Sequence, residues 1–358
     1  MEILPEKLKE QKEKIVLKEE YPTFTSSYSD YSTYSSLGYD QPFKEEDLTS
    51  MKMAILKNTP EEVVFDVAGV DLSVVNALRR ILIAEVPTIA IEDVFLANNT
   101  SVISDEVLCH RIGLIPLDID PSKIKYKKPD EEPNQFNTII FKLQITCTSV
   151  PGSRPDMAEN LRYNHSNVYS RDLEWVPISD EQRALFADHP PKPVFGDILI
   201  AKLRPKQTID LTCHCVKGIG KWHAKFSPVA TATYRLLPSI SFKKPLTGNI
   251  AEAVIESCPL NVFEMKDGVV TVARPRNCSM CRECIRTARI SSKGVKCEEY
   301  AEDLELARVK DYCIFSVEST GILDASTLVE QAFDVLIAKV DALISLLTTT
   351  APTAQEAQ

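Results

Sequence analysis

The chain has 358 residues, 44% hydrophobic and 26% charged, which describes a globular protein with material for two or three cores and excludes a peptide scaffold or a fibre. Fifty-one acids against 41 bases leave a formal charge of −10. That balance argues against direct sequence-specific DNA binding, which draws its affinity from Lys and Arg at phosphates.

Residues 1–50 hold six lysines and eleven acids and include a Ser/Tyr-rich run, SSYSDYSTYSSLGYD, without apolar periodicity. A disordered acidic tail is expected there, with one short helix near Glu6 to Lys18. The opening residues mix acids with lysines and have no apolar segment before a cleavage site, so no secretory signal is read and an intracellular chain is expected.

Order is predicted to begin near Met51, where two strand-like runs flank the turn residues Asn58-Thr59-Pro60. A helix is predicted over 73–86, capped by Asp71 or Ser73, with Val74, Val75, Leu78, Ile81 and Leu82 on one stripe and Pro87 ending it. Arg79 and Arg80 lie off that stripe, as a solvated edge or as a contact for a large partner.

Beyond it, β-branched enrichment or alternation marks strands in IIFKLQITCTSV, GDILIAKL, TIDLTCHCV and VATATYRLL, separated by long loops rich in Pro, Asp and Asn. In TIDLTCHCV the alternation places Cys213 and Cys215 on the face of Ile209 and Leu211, with His214 opposite, so core packing is expected rather than a metal site. Gly218-Ile-Gly220 lacks the third glycine of a dinucleotide fingerprint. Neither a paired nucleophile and base nor an acidic metal triplet is found, and His110, His165, His189, His214 and His223 are scattered; no catalytic residue is predicted.

The strongest chemical signal is Cys278-Ser-Met-Cys281-Arg-Glu-Cys284, with Cys258-Pro259 twenty residues earlier. Three thiolates at C-x2-C-x2-C spacing and a fourth from a Cys-Pro match the ligand set of one ferredoxin cluster. Ala288 stands where a second cluster would need its fourth cysteine. One 4Fe–4S or 3Fe–4S cluster on Cys258, Cys278, Cys281 and Cys284 is therefore the expectation, with structural zinc, or cysteines without metal, as alternatives. Cys297 is a second candidate for the fourth ligand. Arg274, Arg276, Arg282, Arg286, Arg289, Lys293 and Lys296 surround the run and suit an anionic cluster or an acidic partner.

A last helix is predicted from Ser326 to about Leu347, with Val329, Phe333, Leu336, Ile337, Val340, Leu343, Ile344 and Leu347 on a broad stripe that needs a cover. It is too short and too charged, at Lys339 and Asp341, for the ~20 apolar residues of a membrane span.

The run from Asn76 through Arg79, Arg80 and Pro87 to Asp93 resembles the alpha-type assembly subunits of cellular RNA polymerases. His110-Arg-Ile-Gly-Leu-Ile-Pro-Leu117 looks like that family's insert-domain motif, and Gly218-Ile-Gly-Lys-Trp-His-Ala-Lys-Phe-Ser-Pro228 like its second hallmark loop. The resemblance covers about residues 51–348. A ferredoxin-like insertion with a long N-terminal extension is similar to the larger alpha-like subunit shared by eukaryotic polymerases I and III, with the archaeal D subunit as the nearest alternative.

The resemblance implies an α+β fold: a dimerisation domain over 51–97, 232–252 and 308–348, split by an insert at 98–231, plus a ferredoxin-like domain at 253–307 and a disordered tail at 349–358. It implies a non-catalytic scaffold in the nucleus, in nucleolus and nucleoplasm, whose two helices pair with a smaller alpha-like subunit. Val75, Leu78, Leu82, Phe333, Leu336, Val340 and Leu343 would form that face, while Arg79 and Arg80 would meet the two largest subunits. The reading from another class is a ferredoxin-like electron carrier fused to a scaffold.

Overall fold

The computed structural model describes residues 13–23, 51–152, 154, 157 and 162–350. They fall into two compact units: residues up to 56 with 65–76 and 234–315, and residues 57–64 with 77–233 and the chain from 316 onward. The Ser/Tyr-rich run and the tail after 350 lie outside the described residues.

The first unit is built on a long strand that several others use as a template. In chain order the strands are β1 (Lys14–Leu17), β2 (Pro22–Thr23), β3 (Lys52–Asn58), β4 (Glu62–Ala68), β9 (Val229–Phe242) and β10 (Leu304–Ser319), where β5 to β8 belong to the second unit described below. The sheet order is β2-β1-β10-β4-β3, and β9 also pairs with β10. At one margin β3 is exposed along its whole length. The turn to β4 is closed by Thr59, whose N–H and hydroxyl both donate to the Glu62 carbonyl. Phe65 stacks on Phe315 with centroids 5.1 Å apart at the middle of this sheet.

One expectation fails here. Residues 14–17 form a strand, not the end of a helix running to Lys18: Lys14 pairs with Val309 and Leu17 with Leu306, antiparallel. Ile15 and Val16 are β-branched, and an available edge of β10 rewards an extended chain, so long-range pairing overrides the charged helical pattern. In the segment 253–307, Phe263, Val270, Cys284, Ile285 and Tyr300 share one hydrophobic cluster with Leu17, Leu246 and Ala251 from outside it.

In the second unit a four-stranded antiparallel sheet follows the order β7-β6-β8-β5, with β5 (Pro87–Asn99), β6 (Ile139–Thr146), β7 (Glu174–Val176) and β8 (Thr208–Ile219). The strand β5 pairs with β8 from Pro87↔Ile219 to Asn99↔Ile209. Ile209, Leu211, Cys213 and Cys215 point together into the core of this unit, as the alternation predicts. His214 faces the other way against Phe95, with centroids 4.7 Å apart, and burial lowers its imidazole pKa.

The helix α1 (Leu72–Ala84) starts where expected: the Asp71 carboxylate accepts the Ser73 N–H at 2.8 Å, one of the orphan donors of a first turn. The other helices are α2 (Asp105–Gly113), α3 (Asp180–Leu185), α4 (Gly248–Ser257) and α5 (Ala325–Thr350). Among the described residues, no helix is long and apolar enough to cross a membrane.

Candidate assembly surface and cysteine cluster

The helix α5 changes character along its length. Its first turns are sealed into its own unit by Ala325, Leu328, Val329 and Ala332. Phe333 and Leu336 are half-buried. From Ile337 on, the large apolar side chains stand in water: Ile337 is 57% exposed, Leu343 61% and Leu347 69%, with Val340, Ile344 and Leu346 beside them. Residues three and four apart on a helix are neighbours, so these six make one continuous stripe. Such a patch on an otherwise folded surface marks a contact surface. Lys339 leaves the stripe to bond both Glu85 oxygens at 2.9 Å, tethering α5 to the residue after α1.

The companion face expected on α1 is different. Val75 is 3% exposed, Leu78 4% and Leu82 0%, so their surface is already covered by this chain and is not available to a partner. Their stripe is the core face of an ordinary amphipathic helix, which periodicity alone does not distinguish from an interface. What α1 leaves outside is Ile83, 37% exposed, and Arg80; Arg79 is half-buried and engaged within the chain.

The loop carrying Gly218 and Gly220 is built to approach α1. A Cβ on Gly220 would lie 2.2 Å from the Ile83 carbonyl oxygen, and one on Gly218 2.6 Å from the Phe226 ring. The Lys221 N–H then donates to the Ala84 carbonyl at 2.8 Å, satisfying an orphan acceptor at the helix end. The two hallmark loops also meet: Cys109, His110, Gly113, Leu114, His223 and Lys225 line one cleft of about 250 Å³. Nothing in the spacing of the two histidines along the chain foretold this. His223 is held as a cap, its Nδ1 accepting the Lys225 N–H at 3.1 Å.

The cysteine segment follows the last turn of α4. Pro259 cannot continue α4, so the chain turns at Cys258, whose sulfur accepts the Val262 N–H at 3.5 Å. Cys258, Cys278, Cys281 and Cys284 line one hollow. Cys297 stands aside, its thiol donating to the Cys284 carbonyl at 3.4 Å. Met280 and Arg282, the residues between the cysteines, have φ of 61° and 65°. Left-handed residues of this kind curl a loop so that successive N–H groups turn inward, an arrangement that favours anionic sites including iron–sulfur centres. Burial and the neighbouring thiols push Cys284 up to about 12, and burial likewise raises Cys278.

The donor chemistry therefore fits a thiolate-held group, while the space is tight. The hollow holds about 10 Å³, room for roughly one water, and among the described residues no three His, Cys, Asp or Glu side chains are gathered to hold a single metal ion. A tetrahedral zinc would need sulfurs roughly 3.8 Å apart, from Zn–S bonds of ~2.3 Å.

The surrounding arginines are spent within the chain. Arg276 forms a two-pronged ion pair with Asp66, which is 4% exposed, and the Tyr312 hydroxyl donates to the same carboxylate at 2.6 Å. Burial alone would raise the Asp66 carboxyl, yet the bonds from Arg276 and Tyr312 and the Arg276 charge outweigh it and hold it below its ordinary value. Arg289 donates to the Ser257 and Glu256 carbonyls, and Arg274 to the Asn261 carbonyl. These cations fix the cysteine segment to strands and helix, which leaves little of the patch for an acidic partner.

The α+β fold thus ends in a helix whose apolar stripe is uncovered, a surface of the kind that marks contact with another chain. A family model described as the RNA polymerase Rpb3/Rpb11 dimerisation domain matches residues 64–340, and the chain belongs to that family of RNA polymerase subunits. Among its relatives, the human DNA-directed RNA polymerases I and III subunit RPAC1 is 42% identical over 309 residues, 84% of this chain and 86% of that protein. The Dictyostelium discoideum subunit of the same name is 41% identical over 311 residues, 86% and 85% of the two chains. The Saccharomyces cerevisiae RPAC1 is 39% identical over 312 residues, 85% and 90%.

Proposed function

We propose that this chain is the larger alpha-like assembly subunit shared by nuclear RNA polymerases I and III, working in nucleolus and nucleoplasm on ribosomal, 5S and transfer RNA genes. The observation that carries the reading is the exposed stripe of α5 in a chain of the dimerisation family. A smaller alpha-like subunit covers Ile337, Val340, Leu343, Ile344 and Leu347, and an obligate interface of that kind buries ~2,000 Å² or more. The pair then forms the platform for the two largest subunits, with Arg80 directed at carboxylates of one of them. Chemistry belongs to those partners, whose active site lies outside this chain. Affinity purification of the tagged chain followed by mass spectrometry tests this. Recovery of both largest subunits of polymerases I and III with one smaller alpha-like chain is expected; recovery of polymerase II subunits alone would refute it.

The cysteine quartet extends the proposal. Cys258, Cys278, Cys281 and Cys284 would hold one iron–sulfur cluster with a structural role, since ligands on one hollow but not gathered for a single ion suit a polynuclear group better than zinc. When bound, the cluster supplies four covalent cross-links between the end of α4 and the loop 278–284. The chain's own part is to keep the thiols dry and to direct N–H groups at Cys258 and Cys278. Anaerobic purification should yield iron and sulfide; stoichiometric zinc would overturn the cluster.

A further inference from the structure

The hollow among the four cysteines has room for about one water, so any thiophilic group enters only if the loop 278–287 moves. Its two ends are held very differently. At the entry, Arg276 is locked onto the buried Asp66, and Arg235 donates to the Arg276 carbonyl at 2.8 Å and the Cys278 carbonyl at 3.4 Å. Breaking a buried charge pair is costly, so this end is the fixed one.

The far end is held by the N-terminal hairpin instead. Glu19, between β1 and β2, accepts from the Thr287 N–H at 3.0 Å and from its hydroxyl at 2.7 Å. The Arg282 guanidinium donates back to the Glu19 carbonyl at 3.2 Å. The hairpin itself is small: Lys18 N–H donates to the Tyr21 carbonyl at 2.9 Å, and the Thr23 hydroxyl to the Val16 carbonyl at 2.8 Å. Only β1 anchors it to β10, with Leu17 inserted in the cluster that contains Met280, Cys284 and Ile285. Glu19, Met280, Cys281, Arg282, Glu283 and Arg286 line an open cleft of about 330 Å³ at this end, where Cys281 is exposed.

We propose that residues 14–23 are a clasp governing access to the four-cysteine hollow, so that loading by a thiophilic metal, or attack by a thiol-reactive electrophile on the buried Cys284, requires the hairpin to lift from Thr287 and Arg282. Local openings of this kind draw on the least stable elements of a fold, those with few buried contacts and exposed hydrogen bonds. The inference stands on this geometry and does not depend on the polymerase assignment.

The test uses the full chain, reduced and stripped of metal with a chelator, and iodoacetamide as the probe. Modification of each cysteine is followed in time by peptide mass spectrometry for the native chain, for Glu19→Ala, which deletes the carboxylate on Thr287, and for Leu17→Asp, which detaches β1. Cys284, 7% exposed, should react at least tenfold faster in Glu19→Ala, the effect expected from losing even one hydrogen bond to a charged group, and faster still in Leu17→Asp. Cys213 and Cys215, fully buried in the other unit, should keep their native rates. Unchanged Cys284 reactivity in both variants would overturn the clasp, and so would an equal acceleration at Cys213, which would mean general unfolding.

Discussion

Replacing Val340 and Leu343 by Asp separates a partner surface from a core surface. Val340 is 46% and Leu343 61% exposed, so a partner that covers what remains gains a matching fraction of the ~1.5–3 kcal/mol of a fully buried aliphatic side chain. The two together are worth about 2–3 kcal/mol, which alone weakens a complex about 30-fold or more at ~1.4 kcal/mol per decade. Two carboxylates forced into an apolar contact add several kcal/mol more. The isolated chain should be nearly indifferent, because both positions already face water. The assay is therefore a pair: titration of the smaller alpha-like subunit by biolayer interferometry, and thermal melting of the variant alone. Asp341→Ala, at an exposed polar position of the same helix, is the control for a general change in α5. A double variant that binds undiminished, or one that loses its own fold, would refute the assignment of this stripe.

The core face of α1 should behave in the opposite way. Leu82→Ala removes a side chain with 0% exposure and is expected to cost the fold about 2–5 kcal/mol in denaturant titration; unchanged stability with weaker partner binding would contradict the burial. Asp66→Asn leaves the Arg276 charge uncompensated and replaces one of the two acceptor oxygens by a donor, and with Arg276 partly exposed the loss should fall toward the lower end of ~3–5 kcal/mol. Because the folded Asp66 carboxyl sits below its unfolded value of 3.8, its stabilisation is complete above that value and is lost as pH falls through the folded one. The variant should therefore have a flatter acid limb of stability against pH, and an acid limb identical to the native one would count against the ion pair. Gly220→Ala meets the Ile83 carbonyl at 2.2 Å, so backbone must shift and the melting temperature should drop; a neutral result would show that the loop does not need the contact.

Local signals carried some elements well. Asp71 and Pro87 bracket α1, and the parity of Ile209, Leu211, Cys213 and Cys215 places both cysteines in a core. The range of α5 followed from periodicity. What failed depends on distant partners. Whether the stripe of Leu78 and Leu82 meets its own chain or another is settled by packing, not by period. The strand at 14–17 exists because β10, some 290 positions away, offers it an edge. The pairing of Asp66 with Arg276, and the meeting of His110 with His223 in one cleft, are likewise products of topology, and no spacing rule reaches across such separations.

The wholly exposed strand β3 carries a consequence for how this polypeptide behaves in a tube. Among the described residues it pairs only with β4, leaving one rim of amide and carbonyl groups to template a second molecule, the usual seed of edge-to-edge growth. Lys52 flanks Met53, Ile55 and Leu56 while Lys57 is paired with Glu62, so the repulsion that a copy meets when it tries to zip alongside rests on the Lys52 end. That protection is electrostatic and fades as the Debye length shrinks to ~3 Å in molar salt. Concentrated salt should therefore turn the solitary protein turbid, while dilute buffer keeps it clear.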